Sequence, residues 1–267
     1  MSLNIRNLGR IRHFEINRPA TRNAVDPETA TLLFKAFLTF ERDETAEIAI
    51  LSGNGGAFCS GFDLKAAAAG VSGDWLARHA IPENWTDPAA QPLPSPMGPA
   101  RLMLSKPVIA AIEGPAVAGG MELALWCDIR IMAEDACFGV FCRRWGVPLI
   151  DGGTQRLPRL IGQGRANDLI LTGRAVDAAA ALAIGLANRV VTSGSALSAA
   201  MDYASELLRL PMACMLADRN AARPSAAILA EGLRREWQSA PMVLDQARKG
   251  AERFANGLGR GGDFSEI

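Results

Sequence analysis

The sequence contains very little histidine: His13 and His79 are the only two among its 267 residues. Zinc sites built on imidazole ligands usually draw on more, so a His-rich metal site is not expected. A hydrolase with a Ser–His or Cys–His pair would have to use one of these two side chains. Two motifs are also missing, the Gly-x-Ser-x-Gly of many hydrolases and the Gly-x-x-x-x-Gly-Lys-Ser/Thr of phosphate-binding loops. The sequence therefore predicts no metal centre and carries no signature of these two kinds of site.

An excess of charge of either sign is missing as well, because 28 Lys and Arg residues balance 28 Asp and Glu residues. Nucleic-acid-binding domains carry clustered positive charge, so no nucleic-acid partner is expected. No apolar run reaches the roughly 20 residues that a transmembrane helix needs. The first six residues lack the apolar core of a signal peptide. We therefore expect a soluble cytoplasmic protein without a membrane partner.

The five cysteines are an odd number and include no Cys-x-x-Cys pair. Disulfide frameworks usually have an even number of cysteines, and cytosolic proteins keep their thiols reduced. The cysteine pattern therefore favours reduced thiols in a cytosolic enzyme.

What the sequence does contain is organised around residues 107–128. Residues 108–112 form a short, mostly β-branched run that predicts a buried strand, and Gly119 and Gly120 lead into good helix formers. The first N–H groups of a helix have no internal acceptor, and glycine lets a ligand oxygen approach them closely. A carbonyl oxygen that becomes anionic during a reaction would be stabilised there, and Glu122 could move a proton on the same ligand. The alternative is that the small residues only allow packing and Glu122 only suits the helix dipole.

A second backbone donor is predicted near Gly61. The strand predicted at residues 47–52 is followed by a glycine-rich stretch that begins Gly53-x-Gly55, but the third glycine of a dinucleotide-binding loop is missing. Gly61 permits a sharp turn that would point the N–H of Phe62 at a ligand. A plain turn without that role is the alternative.

Two aspartates precede predicted helices. Asp26 should cap a helix that ends near Asp43, because a proline and a glutamate follow it. Asp151 comes just before a helical segment at residues 155–161. Asp151 either caps that helix or adds a carboxylate to the site, since both roles use the same helix dipole.

Six prolines within residues 70–99 predict a long loop or lid. Its tryptophans either cover a lipid-like substrate or pack the loop onto the core. From residue 195 onward the pattern is helical with breaks at prolines. We place a boundary at residue 194, with a core at residues 1–194 and a helical region at residues 195–267.

Seven short segments carry a recognisable pattern in order along the chain. They are residues 17–19 with 23–24, 57–64, 106–114, 119–124, 127–128, 152–157 and 171–173. Each segment alone is a weak signal, but together they cover most of residues 8–191. This pattern resembles the crotonase superfamily, the enoyl-CoA hydratase/isomerase family.

The resemblance implies an α/β fold, a crotonase-like spiral of β-β-α units followed by a C-terminal helical region. In this family that region assembles trimers, which often pair into hexamers. The chain is therefore expected to be a homotrimer or hexamer, with residues 195–267 supplying the contacts.

The resemblance also assigns roles at the site. Phe62 and Gly119 match the residues whose N–H groups hold the oxygen of a CoA thioester, and Glu122 matches a catalytic glutamate of the hydratases. CoA itself is expected to lie against a short segment of the chain, made up of Ser60, Gly61, Asp63 and Leu64. The CoA thioester is the expected substrate, and no separate cofactor or metal is expected.

Three positions depart from the family pattern. Cys142 stands where hydratases carry a second glutamate, and a thiol with an ordinary pKa of about 8.5 is a poor substitute for a carboxyl near 4.3. Asp151 stands where hydratases have a small residue, so Asp151 and Glu122 could form a relocated acid–base pair. Ala118 replaces the first of three glycines, which we expect to have no consequence.

These observations predict an acyl-CoA enzyme that stabilises a thioester enolate, with Glu122 as acid or base. Hydration or double-bond isomerisation of an enoyl-CoA is the leading prediction. Hydrolase, dehalogenase or decarboxylase chemistry stays open, because one scaffold can host many reactions. A CoA-thioester-binding protein with little catalysis is the alternative from another class.

Overall fold

A computed structural model describes residues 1–69 and 78–259. Its strands are β1 (Leu3–Leu8), β2 (Ile11–Ile16), β3 (Ile48–Gly53), β4 (Val108–Ile112), β5 (Pro115–Val117), β6 (Ile129–Ala133), β7 (Cys137–Gly139), β8 (Ala175–Asp177) and β9 (Arg189–Val191). They form a six-stranded sheet in the order β1-β2-β3-β4-β6-β9 and a three-stranded sheet in the order β5-β7-β8. The β1–β2 and β7–β8 pairs are antiparallel, and the remaining neighbours are parallel.

The helices of the described residues lie between and after these strands. They are α1 (Pro27–Arg42), α2 (Leu64–Ala68), α3 (Gly119–Trp126), α4 (Gly153–Ile161), α5 (Gln163–Thr172), α6 (Ala178–Ala183), α7 (Ala196–Leu207), α8 (Met212–Ala222), α9 (Ala226–Trp237), α10 (Ser239–Met242) and α11 (Leu244–Ala255). A 3-10 helix spans Phe141–Trp145. Helix α1 begins as predicted, since Asp26 Oδ1 accepts from the N–H of Thr29 at 2.8 Å.

The chain repeats a β-β-α pattern that gives one strand to each sheet before it enters a helix. The clearest repeat is β4, β5 and α3. In the preceding repeat, the segment after β3 takes the place of a strand in the second sheet, because Cys59 forms a parallel bridge with Ala116 of β5. Parallel strands need a crossover between them, and those from β3 to β4, from β4 to β6 and from β6 to β9 each carry chain to the second sheet. The predicted α/β spiral of β-β-α units is therefore present.

Helix α3 lies at the centre of this arrangement, and all of its residues are buried. Its apolar residues belong to the main core between the two sheets, together with Phe37, Phe58 and Phe138. A helix that is apolar on all sides is stable only when it is surrounded by protein. The first turn of α3 is therefore held rigidly, which is what a site at that position requires.

The C-terminal helices pack onto the same core. Ala196, Ala200 and Ala204 of α7 cover the outer face of the large sheet, where Ile50 and Ile109 are buried. Helix α11 contacts α2 and the 3-10 helix. The boundary at residue 194 and the role of residues 195–267 in trimers stay predictions, but residues 195–259 also complete the core of their own chain.

The Pro-rich segment packs onto the protein in the part that is described. Trp85 is 4% exposed and lies in a small apolar cluster with Leu229, Leu233 and Trp237 of α9. Trp85 therefore packs the segment onto the core, which is one of the two roles considered for its tryptophans. Residues 70–77 of the predicted loop lie outside the described residues.

All five cysteines are free thiols, as predicted. No helix of the described residues combines the length and the apolar character that crossing a membrane requires. The cytoplasmic location stays a prediction.

We expect the Asp26 cap to contribute measurably to stability. Replacing Asp26 with Ala should lower the free energy of unfolding by about 1–2 kcal/mol, because the N–H of Thr29 loses its acceptor. Asp26→Asn keeps an acceptor oxygen and removes only the ion pair with Arg18, so it should cost less than half as much. Urea unfolding of both variants measures the difference. Equal losses would show that the ion pair, and not the cap, stabilises this helix.

Candidate active site

A cavity of about 920 Å³ opens between the first turn of α3, α2, the 3-10 helix and α11. Its wall includes most of the side chains predicted at the site, which are Phe62, Gly119, Glu122, Asp151, Ser60, Asp63 and Leu64. Gly61 is not among the described residues on the wall. The structure therefore brings the predicted residues to one place, while their individual roles stay predictions.

Backbone hydrogen bonds set Phe62 and Gly119 side by side. Cys59 donates its N–H to the carbonyl of Pro115 at 3.1 Å and accepts from the N–H of Val117 at 3.0 Å. These bonds hold the segment before Phe62 against β5, which leads directly into α3. A Cβ atom built on Gly61 would lie 3.0 Å from the nitrogen of Gly119. The two predicted backbone donors therefore come from adjacent turns that are fixed to each other.

The glycines of the first α3 turn are required by close packing. A Cβ on Gly119 would lie 2.6 Å from Sδ of Met97, and one on Gly120 would lie 2.0 Å from the carbonyl oxygen of Cys59. Gly119 is the first residue of α3, so its N–H has no intrahelical acceptor. A side chain at Gly120 would therefore displace the backbone of this turn from that of Cys59.

Ala118 adopts φ +52° and ψ −126°, a conformation that residues with a Cβ rarely adopt. We expected the replacement of a family glycine by Ala118 to have no consequence, and that expectation is wrong. The loss of glycine places an alanine in a strained backbone region beside the turns that carry Phe62 and Gly119. Its methyl also faces Gly61, where an added Cβ would lie 2.9 Å from it.

Glu122 is buried at the base of the cavity, with 2% of its surface exposed. Its Oε1 accepts from the N–H groups of Asp151 and Gly153, each at 2.9 Å. Burial raises the pKa of Glu122 well above its ordinary value, and the neighbouring carboxylates of Asp151 and Glu236 raise it further. The two hydrogen bonds oppose this shift only in part. Glu122 is therefore a carboxyl group that gives up its proton less readily than an exposed glutamate.

Asp151 is buried beside it and faces the same cavity. Its Oδ1 accepts from the N–H of Met97 at 2.9 Å, and the hydroxyl of Ser95 also hydrogen-bonds to this carboxylate. Burial raises the pKa of Asp151, while these hydrogen bonds and the nearby guanidinium groups lower it.

The capping role considered for Asp151 is wrong. The N-cap position of α4 is Gly152. The first N–H groups of α4, which have no acceptor within the helix, donate to carboxylates from other elements of the fold. Gly153 donates to Glu122, and Thr154 donates to Glu236. The Asp151 side chain is therefore directed away from α4 to Met97 and the cavity.

Glu236 is a buried residue of this region that the sequence did not reveal. It comes from α9, and its Oε2 accepts from the N–H of Thr154 at 2.9 Å. It also accepts from the N–H of Gly152 and from the Thr154 hydroxyl. Burial raises the pKa of Glu236 to about 7, although its hydrogen bonds and Arg156 lower it. A lone glutamate in the last turn of a helix, next to two arginines, carries no local signal of burial.

Cys142, where the second family glutamate is expected, lies on the cavity wall. Burial raises the pKa of its thiol to about 12, and the nearby Glu122 contributes to the rise. The thiol is therefore protonated at every physiological pH and cannot act as a base.

The remaining wall combines basic and apolar side chains. The basic ones are Arg22, Lys65, Arg144 and Arg248, and the large apolar ones include Trp145, Ile150, Leu244 and Phe254. Such a surface suits a ligand with an anionic part and an apolar part. Together with two buried carboxyl groups and two adjacent backbone donors, it could bind a charged thioester and move protons on its acyl chain.

Comparison with known proteins adds an independent result. A profile of the Enoyl-CoA hydratase/isomerase family matches residues 8–258. The enoyl-CoA hydratase EchA19 of Mycobacterium tuberculosis is 38% identical over 199 residues, covering 72% of this chain and 69% of that protein. A carnitinyl-CoA dehydratase of Salmonella typhi is 34% identical over 215 residues, covering 78% and 74%.

Solved structures agree with the sequence relatives. A carnitinyl-CoA hydratase from Mycobacterium avium superimposes with a TM-score of 0.82 at 28% identity, covering 96% of both chains. The enoyl-CoA hydratase EchA1 from Mycobacterium marinum gives a TM-score of 0.72 at 30% identity, again over 96% of both chains. This similarity confirms the predicted crotonase-like fold.

Replacing Ala118 with Gly should stabilise the protein. A residue in a sparsely populated backbone region costs about 1–3 kcal/mol, and the extra chain entropy of glycine offsets about 0.5–1 kcal/mol of the gain. We expect the free energy of unfolding to rise by about 1 kcal/mol in urea titrations. The matched control is Ala179→Gly on the exposed side of α6, which should lose about 1 kcal/mol instead. Equal losses in both variants would show that Ala118 is not strained.

The Cys142 thiol should resist alkylation although it lines the cavity. With a pKa of about 12, only about one thiol in 10,000 is ionised at pH 8. Iodoacetamide at pH 8, followed by peptide mass spectrometry, should label the exposed Cys214 first and Cys142 far more slowly. Unfolding in guanidinium should make the two rates similar. Rapid labelling of Cys142 in the folded protein would contradict a neutral thiol.

Proposed function

The chain belongs to the enoyl-CoA hydratase/isomerase family, and we propose that it catalyses the reversible addition of water to 2-enoyl-CoA thioesters. Glu122 and Asp151 are the acid–base pair of this reaction. One observation carries the proposal: both buried carboxyl groups face the cavity that Phe62 and Gly119 also line. The N–H of Asp151 also binds Glu122 directly, so the two side chains are held at a fixed relation.

The proposed reaction develops charge on the thioester oxygen. Hydroxide adds to C3 and a proton adds to C2, and the intermediate between these two events is a thioester enolate. The N–H groups of Phe62 and Gly119 would bind its oxygen. Losing one such donor costs about 3 kcal/mol of transition-state stabilisation in other enzymes. The tight packing around Gly119 supports this role, because it leaves the backbone little freedom to move.

Hydration needs one group to take a proton from water and another to give a proton to carbon. Two carboxyl groups buried together do not both ionise readily, because each negative charge disfavours the other. The pair therefore tends to hold one proton, which matches that division of labour. Cys142 cannot be the base because its thiol stays protonated. Asp151 is the carboxylate that replaces the missing family glutamate.

The proposed CoA segment at α2 fits the wall of the cavity. Ser60 and Leu64 face the cavity. Asp63 accepts from the N–H groups of Lys65 and Ala66 and pairs with Arg18 at 2.9 Å. Asp63 therefore supports CoA binding by fixing the start of α2, with its charge already neutralised by Arg18.

The names of the relatives support chemistry that adds or removes water. One is an enoyl-CoA hydratase and another is a carnitinyl-CoA dehydratase, so both directions of the same reaction type occur among them. Family membership supports an acyl-CoA substrate and an enzyme of lyase type.

A second candidate is double-bond isomerisation, which the protonated Cys142 thiol favours. Isomerisation needs one base that takes a proton from C2 of a 3-enoyl-CoA and returns it to C4. Glu122 could do this alone, so the absence of the second glutamate would not matter. The two candidates differ in their need for Asp151.

The deciding experiment compares the parent protein with Glu122→Gln and Asp151→Asn. Both amides keep an oxygen that accepts the present backbone hydrogen bonds, so the fold should be retained. For hydration of 2-enoyl-CoA esters, we expect each variant to lose about 100- to 10,000-fold in kcat, because each removes one proton-transfer group. Asp202→Asn on the exposed side of α7 is the matched control and should keep full activity.

The other outcomes have definite meanings. If Asp151→Asn keeps 3-enoyl-CoA isomerisation and only Glu122→Gln abolishes it, isomerisation replaces hydration as the function. If the parent binds acyl-CoA esters but converts none of them, the protein is a CoA-thioester-binding protein and the proposal is wrong.

A further inference from the structure

The four consecutive backbone N–H groups from Asp151 to Thr154 bind two carboxylates in alternation. The N–H groups of Asp151 and Gly153 donate to Glu122, each at 2.9 Å. Those of Gly152 and Thr154 donate to Glu236. The turn is therefore held between a carboxylate on the cavity wall and one from α9.

The start of α4 relies on carboxylates from outside the helix, Glu122 and Glu236, to accept from its N–H groups. Gly152 has φ +92°, and no side chain at the N-cap position of α4 closes the helix. A Cβ at Gly152 would lie 1.8 Å from Nη1 of Arg156, so a stiffer residue does not fit. Without Glu236, two buried N–H groups would lose their acceptors, and a flexible glycine would be free to rotate.

We propose that Glu236 is a positioning residue of the active site. Its carboxylate fixes the turn that carries Asp151 and that supplies both hydrogen bonds to Glu122. Glu236 is not among the described residues that line the cavity, so it acts through the turn and not on the substrate. The catalytic part of this inference rests on the proposed function of Glu122 and Asp151.

Glu236 is also coupled to Glu122 and Asp151 by electrostatic interactions. Asp151 and Glu122 face it with negative charge, and Arg156 and Arg101 face it with positive charge. Arg156 donates to the carbonyls of Asp151 and Ala100 at 2.9 and 2.6 Å. Three carboxyl groups thus share two guanidinium groups in a buried space. A negative charge on Glu236 disfavours ionisation of Glu122, which raises the pKa of Glu122.

The variant Glu236→Gln tests the inference, because glutamine has nearly the same size and shape as glutamate. Gly152 donates to Oε1 of Glu236 and Thr154 donates to Oε2. A glutamine has only one oxygen and carries an NH2 donor in place of the other, so it cannot accept at both positions as the carboxylate does. Two variants of the same helix α9 are controls. Glu231→Gln removes an exposed carboxylate, and Leu229→Ala weakens the buried packing of α9 without changing any charge.

Hydrogen exchange followed by mass spectrometry measures the position of the turn without any substrate. We expect Glu236→Gln to speed exchange in peptides that contain residues 152–154, relative to the parent and to Leu229→Ala. In turnover assays, kcat should fall about 10- to 100-fold, because small displacements of catalytic groups cost that much. The pH-profile limb governed by the Glu122–Asp151 pair should move to lower pH, since one negative neighbour is gone. Glu231→Gln should change none of these quantities.

The inference is wrong if Glu236→Gln behaves like Leu229→Ala, with a lower thermal midpoint but unchanged exchange at the turn. It is also wrong if the pH limb of Glu236→Gln stays where it is in the parent. If the parent converts no enoyl-CoA ester, the proposed function has failed separately. In that case faster exchange at residues 152–154 supports the positioning role, and unchanged exchange overturns it.

Discussion

The structure depends on the burial of three carboxyl groups beside only two guanidinium groups at the start of one helix. Removing carboxylates from water costs several kcal/mol each unless hydrogen bonds or protons compensate. Here the compensation comes from backbone N–H groups between Asp151 and Thr154, and burial still raises the pKa of each of the three carboxyl groups. Glycines at positions 152 and 153 are required because side chains there would collide with Arg156 and Glu122. The chemistry of the site and the local fold therefore have the same physical origin.

This constraint joins the C-terminal helices to the candidate active site. The helical region expected to serve assembly also supplies Glu236 to the turn at residues 151–154 and α11 to the cavity wall. Gly250 of α11 lies so close to the 3-10 helix that a Cβ would meet the carbonyl oxygen of Trp145 at 1.8 Å. Movement of these helices would therefore alter both the cavity and the positions of its carboxyl groups.

The features that the sequence predicted are those with local causes. The β-branched run of β4, the Asp26 cap and the glycines before α3 act within a few residues, so each could be recognised where it stands. The adjacency of Phe62 and Gly119 came from family resemblance, and the structure explains it by the pairing of Cys59 with β5.

The errors and the omission have non-local causes. The prediction that Asp151 caps α4 was wrong because the N–H groups at the start of this helix donate to Glu122 and Glu236, which are distant in sequence. Glu236 was missed because its burial is created by packing of α9 and not by any pattern in α9. The strain at Ala118 depends on a backbone angle that residue type alone does not reveal.

The same balance of buried charges explains why a neutral residue at position 142 is compatible with a carboxyl group at position 151. Cys142 lies close enough to Glu122 for that carboxylate to raise its pKa. A glutamate at position 142 would add a fourth buried carboxyl group to a cluster that already has more acids than bases. If ionised, this glutamate would oppose ionisation of Glu122 and Asp151, because like charges in a buried space repel each other. Burial would itself favour the protonated form of the added carboxyl group. A neutral thiol at position 142 therefore adds no further negative charge beside Glu122 and Asp151.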